Sequence, residues 1–223
     1  GQDDGGVVQV VGAKYRHDGV DSTAAQLTSV CHLLVELNAV HLAEIDSPSR
    51  FADREKPLGL KPGVVVDIST NKPAGGPWDL RRQGDVELLH RVLDGERPEL
   101  LIGSPPCTYH SVARTRSNSL RDPLVVKAEV AEADALIATS CEFYEKQLAC
   151  GLLFLHEAPH SALSWKVKEM VDLSGKDGVF RVTGPMWRWK LVQRDEEGEA
   201  NVRKETGWLT NSWKLAQLLE GVC

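Results

Sequence analysis

The chain has 223 residues, of which 42% are hydrophobic and 26% charged, a balance typical of a globular protein that buries its own core. Its 26 Lys and Arg residues against 32 Asp and Glu residues give a formal charge of -6, which excludes a generally basic nucleic-acid coat protein. Because no apolar run approaches the roughly 18 residues of a membrane span, we expect no such span and no membrane partner.

The cysteine pattern predicts the cellular compartment. There are five cysteines, an odd number, and no two of them form a CxxC pair. This pattern argues against the disulfide framework of a secreted protein. We therefore expect an intracellular protein, either nuclear or cytoplasmic.

The first predicted elements are a short strand and a helix. A β-branched run favours a strand over residues 7–11, and apolar residues at helical spacing predict a helix over residues 22–37. We treat residues 1–38 as a lead-in segment with its own helix, and residues 39–223 as the catalytic domain.

Further along the chain, apolar segments alternate with helical patterns. Buried strands are predicted over residues 40–45, 64–68, 99–103 and 152–157, the second after a Lys-Pro-Gly turn. Helices are predicted over residues 85–93, 122–150 and 161–173, followed by a strand over 179–182, a charged loop over 195–199 and a last helix. Strands separated by helices indicate an α/β, three-layer fold, a mostly parallel sheet with helices on both faces.

Ligands of open parallel sheets bind at the carboxyl ends of the strands. The predicted strands end in polar or reactive residues, namely Glu44, Asp46, Asp67, the run Ser104-Pro105-Pro106-Cys107, and Glu157. We therefore look for chemistry at this edge of the sheet.

Cys107 is the best candidate for a nucleophile. Two prolines restrict the backbone before it, and a thiol in a rigid, partly open loop can act as a nucleophile. The alternative is a small buried hydrophobe, which is our interpretation of Cys31, Cys141 and Cys150 because they lie in helical apolar patterns.

Glu157 directly follows an apolar strand. A carboxylate in that position pays a desolvation cost unless a partner uses it, which suggests a functional group. The alternative is a residue that caps the helix predicted to follow.

Two motifs carry a resemblance to a known family. GSPPCTYHS, at residues 103–111, resembles the Pro-Cys motif of cytosine-5 DNA methyltransferases, and FLHEAP, at residues 154–159, stands where that family has its Glu-Asn-Val motif. Most of the chain resembles more closely the methyltransferase-like domains of algal and protist retroelement polyproteins, through segments such as AEIDSPSRF, VVDIST and TGWLTNS.

This resemblance implies a Rossmann-like methyltransferase fold and an enzyme that uses S-adenosylmethionine to methylate C5 of cytosine in DNA, with RNA as an open alternative. Cys107 would attack C6 of the base and Glu157 would contact N3 and the exocyclic amine. Arg188 would stand where the family places a basic pair. A base in a duplex has to be flipped out for this chemistry.

The resemblance also implies a cofactor site. Asp67 would hold the ribose hydroxyls, with a plain turn-forming Asp as the alternative, while Trp78 and Asp79 would cover and hydrogen-bond the adenine. The remaining expected cofactor-binding residues are Glu44, Asp46, Ser47, Ser104 and Pro105. The family's glycine-rich first turn corresponds to residues 46–51, which contain no glycine.

Nucleic-acid contacts are expected after the Pro-Cys motif, from Ser111, Arg114 and Arg116. The stretch between residues 188 and 206 is too short for the family's large recognition region. Neighbouring domains of a polyprotein are therefore expected partners besides DNA.

Two other functions fit the same residues. One is a degenerate methyltransferase fold that binds a partner without catalysis. The other is a zinc enzyme whose ligands would be Cys107, His110, His156 and His160, since Cys and His are the ligands that zinc prefers.

Overall fold

The computed structural model describes residues 7–10, 13–16, 41–48, 59–111, 118–185, 192–195, 198–201 and 205–220. At the start of this part, strand β1 (Val7–Val10) pairs with β2 (Ala13–Arg16) as an antiparallel hairpin. This confirms the first predicted strand. The helix predicted over residues 22–37 lies outside the described residues.

A six-stranded mixed sheet forms the centre of the fold. The other strands are β3 (His41–Ile45), β4 (Lys61–Val66), β5 (Leu100–Gly103), β6 (Leu153–Pro159), β7 (Phe180–Pro185), β8 (Val192–Asp195), β9 (Gly198–Asn201) and β10 (Glu205–Thr210). The order in the central sheet is β4-β3-β5-β6-β10-β7, and β8 pairs with β9 in a separate hairpin. Strands β4, β3, β5 and β6 are parallel, whereas β10 is antiparallel to both of its neighbours.

Four α-helices flank the sheet in the described part of the chain. They are α1 (Gln83–Glu96), α2 (Pro123–Ala149), α3 (Lys168–Ser174) and α4 (Trp213–Leu219). Apolar residues of α1, α2 and α3 share one core cluster, and those of α4 belong to a second one. Consecutive residues Leu42 and Ala43 of β3 belong to different clusters, so the two clusters lie on opposite faces of the sheet. The α/β prediction, with helices on both faces, is confirmed at this level.

The prediction for α2 is confirmed in detail. Asp122 accepts a hydrogen bond from the backbone N–H of Leu124, and Pro123 occupies the first turn. Proline is tolerated there because its missing N–H would have no partner within the helix.

No helix among the described residues combines the length and the apolar character that crossing a bilayer requires.

The second predicted strand is shifted. β4 begins at Lys61 and ends at Val66, so the Lys-Pro-Gly segment belongs to the strand and is not a turn. β4 is an edge strand, and proline is tolerated in such a strand because no described strand lies on its outer side to accept a backbone hydrogen bond. Two residues after Pro62, the backbone N–H of Val64 donates to the Glu96 carboxylate of α1 at 2.8 Å.

The fourth predicted strand is longer than expected. β6 continues through Pro159 because β10 pairs with it from Leu155 to Pro159, beyond the last β5 pair at Gly103 and His156. Glu157 therefore lies inside β6 but past the end of β5.

The prediction of one continuous helix over residues 161–173 is wrong. The structure has a 3-10 turn at Leu163–Lys166 and then α3, separated by Val167 in an extended conformation. The indole of Trp165 donates to the Pro159 carbonyl at 2.9 Å, which fastens the 3-10 turn to the end of β6.

Candidate functional site

The polar residues after the parallel strands meet at one edge of the sheet, because those strands run in the same direction. The backbone N–H of Asp46 donates to the Val66 carbonyl at 2.8 Å, and that of Ser104 donates to the Ile45 carbonyl at 3.2 Å. The loops after β3, β4 and β5 are thus joined by backbone hydrogen bonds.

A side-chain hydrogen bond connects the two motifs that carry the family resemblance. The Ser104 hydroxyl donates to Oε2 of Glu157 over 2.6 Å, although the residues are 53 positions apart. Because Glu157 lies past the last pair between β5 and β6, its carboxylate meets the loop that follows β5. Among the described residues, the partner of its side chain is this hydroxyl, whereas the capping alternative required the backbone of a following helix.

The loop that follows β5 and carries the Pro-Cys motif, residues 104–111, is called the Pro-Cys loop, and hydrogen bonds hold it on two sides. The His110 N–H donates to the Cys107 carbonyl at 3.1 Å, which closes a turn, and the His110 ring lies 2.8 Å from Asp134 of α2. The His110 carbonyl accepts from the N–H of Leu163 at 2.9 Å. Cys107 is partly exposed in this anchored loop.

The other cysteines differ from Cys107. Cys141 is 2% exposed, and burial raises the pKa of its thiol to about 12, as suits a small core residue. Cys150 is exposed, so its predicted burial is wrong; it caps the C-terminus of α2, outside the apolar stripe. Cys31 lies outside the described residues.

A cleft of about 240 Å³ opens where β3 and β4 end. Four of the residues expected to bind a cofactor line it, namely Asp46, Asp67, Trp78 and Asp79. Pro106 and Tyr109 also line it, so the cleft reaches the two residues that flank Cys107 and Thr108 in the Pro-Cys loop.

Asp46 occupies the position of the first turn. Its φ is 54°, in the left-handed region where glycine is usual and where Asp and Asn are the most tolerated other residues. The turn thus has one residue in the conformation that a glycine would adopt. Burial is the main cause that raises the pKa of Asp46 to about 7, the charge of Asp67 contributes to the rise, and the hydrogen bond from Ser140 opposes it.

Ser140 of α2 contacts the Asp46 carboxyl. The Ser140 hydroxyl donates to Asp46 Oδ2 at 2.9 Å and also lies 3.0 Å from the Leu136 carbonyl oxygen. The bond to Asp46 favours the ionised carboxylate, so it opposes the rise in pKa that burial causes.

Asp67 stabilises the turn that it begins. Its Oδ1 accepts from the N–H of Ser69 at 2.9 Å and from the Ser69 hydroxyl at 2.5 Å. Its own N–H donates to Thr70 Oγ1 at 2.9 Å. The turn-forming role is therefore present, while the side chain also lines the cleft.

Trp78 and Asp79 form another wall of the cleft. Trp78 is 1% exposed, and its indole N–H, which is buried, has no hydrogen-bond partner among the described residues. Asp79 accepts two bonds from the Arg81 guanidinium, at 2.7 and 3.1 Å, and this contact lowers its pKa. Arg81 also contacts Glu132 of α2 at 2.8 Å, so the Asp79 carboxylate is already used to position Arg81.

The remaining expected cofactor residues do not line the cleft. Glu44 and Ser47 are each 1% exposed, and the Ser47 hydroxyl donates to the carbonyl of Pro48 at 3.1 Å. Pro105 is buried in the loop after β5, and Ser104 contacts Glu157.

Of the residues expected to bind nucleic acid, Ser111 is partly exposed and its hydroxyl donates to the Thr108 carbonyl at 3.1 Å. Arg114, Arg116 and Arg188 lie outside the described residues.

The four zinc-ligand candidates do not form a metal centre. The ring of His156 is fully buried and contacts the Tyr144 hydroxyl at 3.1 Å, while that of His160 contacts Thr183 at 2.9 Å. His110 is held by Asp134. Within the described ranges, no group of three or more His, Cys, Asp or Glu residues could hold a metal ion.

Sequence reasoning missed the contribution of α2. Glu132 and Leu136 line the cleft and Ser140 reaches Asp46. These three residues are spaced four apart, so they share one face of the helix. That spacing is visible in the sequence, but only the fold shows that this face meets the strand ends.

Comparison with models of protein families finds no match for this chain, and neither does comparison with curated proteins. A functional assignment therefore rests on the motifs and on the geometry of the cleft and loop described above.

Proposed function

We propose that the chain is a methyltransferase that uses S-adenosylmethionine to methylate C5 of cytosine in DNA through a covalent intermediate at Cys107. The observation that carries this proposal is the 2.6 Å hydrogen bond between Ser104 and Glu157. It brings into contact the two motifs that would supply the nucleophile and the carboxylate that holds the base.

The sheet supports the proposal at the level of the fold. A mostly parallel sheet with one reversed strand, β10, near its edge is compatible with the Rossmann-like methyltransferase fold that the resemblance implies. Ligands of such sheets bind at the carboxyl ends of the parallel strands, where the cleft and the Pro-Cys loop lie.

The cleft supports a nucleoside-containing cofactor. Its volume of about 240 Å³ is slightly below the usual range for small-molecule sites, about 300–1,000 Å³, and suits the nucleoside part of the cofactor. Trp78 offers an aromatic ring and a buried donor that has no partner within the part of the chain that the structure describes, and Asp67 offers a carboxylate to ribose hydroxyls. When bound, S-adenosylmethionine supplies an electrophilic methyl group.

In the proposed reaction, the Cys107 thiolate forms a bond to C6 of a flipped cytosine, and the electron pair of the C5–C6 double bond moves toward C5. Glu157 holds the N3 edge and the exocyclic amine of the base, in a position fixed by Ser104. C5 would then form a bond to the methyl group, while the methyl–sulfur bond of the cofactor would break and leave its electron pair on sulfur, so that the leaving group is the neutral thioether. A base removes the C5 proton, and the returning electron pair expels Cys107 as the thiolate.

The acceptor is proposed to be DNA, with RNA tested alongside it. We also propose that neighbouring domains of a longer polyprotein contribute target recognition, since only the β8–β9 hairpin lies between β7 and β10 among the described elements.

The covalent step is tested with an oligonucleotide that contains 5-fluorocytosine. Fluorine at C5 leaves no proton to remove after methylation, so elimination fails and the Cys107–C6 bond persists. We expect a denaturation-resistant protein–oligonucleotide adduct that requires S-adenosylmethionine and whose mass places the link at Cys107. DNA and RNA oligonucleotides are compared in parallel.

Two variants make this test specific. Cys107→Ser should form no stable adduct, whereas Cys150→Ala, which removes an exposed thiol away from the site, should form it at the wild-type level. Cofactor binding without any adduct would favour the non-catalytic binding module. Full methylation by Cys107→Ser protein would exclude Cys107 as the nucleophile.

A further inference from the structure

Hydrogen bonds connect the Pro-Cys loop with β6 and the turn after it on both sides of Cys107. Before Cys107, the Ser104 hydroxyl donates to Glu157 at 2.6 Å. After Cys107, the His110 carbonyl accepts from the N–H of Leu163, in the 3-10 turn that follows β6, at 2.9 Å. Cys107 therefore lies on a stretch of chain whose two ends are bonded to the segment that carries Glu157.

The side chain of His110 connects the same loop to α2. Its ring Nε2 lies 2.8 Å from Oδ1 of Asp134, and the residue is 3% exposed. Its backbone N–H donates to the Cys107 carbonyl at 3.1 Å, so His110 and Cys107 belong to one turn. His110 thus bonds with three segments, which are its own loop, α2 and the chain after β6.

Of these three contacts, the one with Asp134 is the contact that requires the side chain of His110. The two backbone bonds need a peptide N–H and a carbonyl, which every residue except proline supplies. Because the ring is buried, solvent competes little for its bond with the carboxylate. Neither His110 nor Asp134 lines the cleft, so this contact holds the loop and does not form part of the cleft wall.

We propose that His110 is a positioning residue, which holds Cys107 in place relative to Glu157 by anchoring the Pro-Cys loop to α2 through Asp134. This inference rests on the proposed function, because the placement of a nucleophile relative to the carboxylate that holds the base matters when both act on one substrate. A displacement of about 1 Å in such a site can cost about 100-fold in rate. Bonds at the two ends of the loop leave its middle free to move, and the bond to α2 restricts it.

His110→Gln and His110→Asn separate this role from the mere presence of a polar side chain. The amide nitrogen of Gln is as many bonds from Cα as the Nε2 of His, so it can still donate to Asp134. The amide nitrogen of Asn matches Nδ1, which has no partner within the described ranges. Both variants lack the imidazole, so a direct effect of the ring on the thiol would be the same in the two.

Asp134→Ala removes the acceptor of the same bond. The Asp134 side chain is half-exposed on α2 and alanine is the best helix former, so this variant should fold. The matched control is Glu142→Ala. It removes an acid of the same helix that makes an equally short contact, 2.8 Å, with the ring of His90 in α1.

Alkylation of Cys107 by iodoacetamide, followed by peptide mass spectrometry, reports on the loop without an assay of activity. We expect about fivefold faster alkylation in His110→Asn and Asp134→Ala, since the loss of one hydrogen bond of ordinary strength frees the loop by about that factor. His110→Gln and Glu142→Ala should react at the wild-type rate. Cys150, which is exposed, is the reference thiol in the same samples.

Methylation kinetics provide the second measurement. We expect kcat to fall about tenfold or more in His110→Asn and Asp134→Ala, and to return close to the wild-type value in His110→Gln. KM for S-adenosylmethionine should stay the same in all three, because neither residue lines the cleft. General destabilisation would instead change KM as well and would not be repaired by Gln.

The outcomes separate this inference from the proposed function. Equal alkylation rates of Cys107 in His110→Gln and His110→Asn would overturn the role of His110, whatever the activity. Faster alkylation of the buried Cys141 by the same factor would also overturn it, because the effect would then be general unfolding. Absence of methylation by a wild-type protein whose variants show the alkylation difference would overturn the proposed function and leave the anchoring by His110.

Discussion

At the scale of single residues, Asp46 combines a backbone role with an electrostatic one. Its left-handed φ lets the first turn form without glycine, and its side chain reaches α2 through Ser140. An acid in this turn thus places a titratable group in the cleft wall. The sequence shows that residues 46–51 contain no glycine, but the raised pKa depends on burial by residues distant in the chain.

Asp46 should make stability depend on pH. Its pKa in the folded state is about 7, against 3.8 without burial, so the folded protein holds the proton more tightly between these values. The free energy of unfolding should therefore fall as the pH rises from about 4 to 7, by at most about 4 kcal/mol. Asp46→Asn lacks this penalty, so urea titrations should find it more stable than the wild type at pH 8 and close to it at pH 4. A constant difference at both pH values would contradict this.

Gly103 is required for a different reason. A side-chain carbon at this last residue of β5 would overlap the hydroxyl of Tyr144, which is fully buried and bonded to His156. Overpacking of this kind typically costs about 1–3 kcal/mol, so Gly103→Ala should lower the denaturation midpoint clearly. Gly95→Ala, in α1 with open space around it, serves as the control and should be neutral or stabilising by up to about 1 kcal/mol. Equal effects of the two changes would show that Tyr144 has room to move.

At the scale of elements, the parallel strands were predictable because they are short apolar runs between helices. β10 was not predicted. Its central Gly207 is a poor strand residue in isolation, yet a side chain there would meet the ring of Trp165 at 2.7 Å. The position of the Trp165 ring therefore requires glycine at residue 207. Because the two residues are distant in the chain, no local sequence pattern reveals this contact.

Helix α2 supplies one wall of the cleft. The residue that caps its N-terminus therefore offers a way to test what stabilises that wall. Asp122 Oδ1 accepts from the N–H of Leu124 at 2.8 Å as an N-cap. Asp122→Ala should lower the free energy of unfolding by about 1 kcal/mol, whereas Asp122→Asn should stay near the wild type because Asn caps equally well. Thermal melts followed by circular dichroism measure both. An Asn variant as unstable as the Ala variant would argue against capping and for a charge effect.

At the scale of the whole molecule, the sequence indicated which edge of the sheet to examine and four of the residues that line the cleft there. It did not indicate that Asp79 is occupied by Arg81 or that Ser140 reaches Asp46. Both depend on how α2 packs across the strand ends, which is a property of the assembled layers. The motifs are short segments of sequence, whereas the balance of charged side chains in the cleft depends on residues from separate elements.

The hairpin between β7 and β10 has a consequence for how this architecture can vary. Asp195 and Gly198 are paired across its end, so the chain leaves and re-enters it at nearly the same point. Closing a loop costs only about 0.6 kcal/mol for each doubling of its length, so extra chain at this point adds little to the cost of folding. Neither of the neighbours β7 and β10 would need to move. The molecule thus has a point at which chain can be inserted or removed while the strand order of the central sheet stays the same.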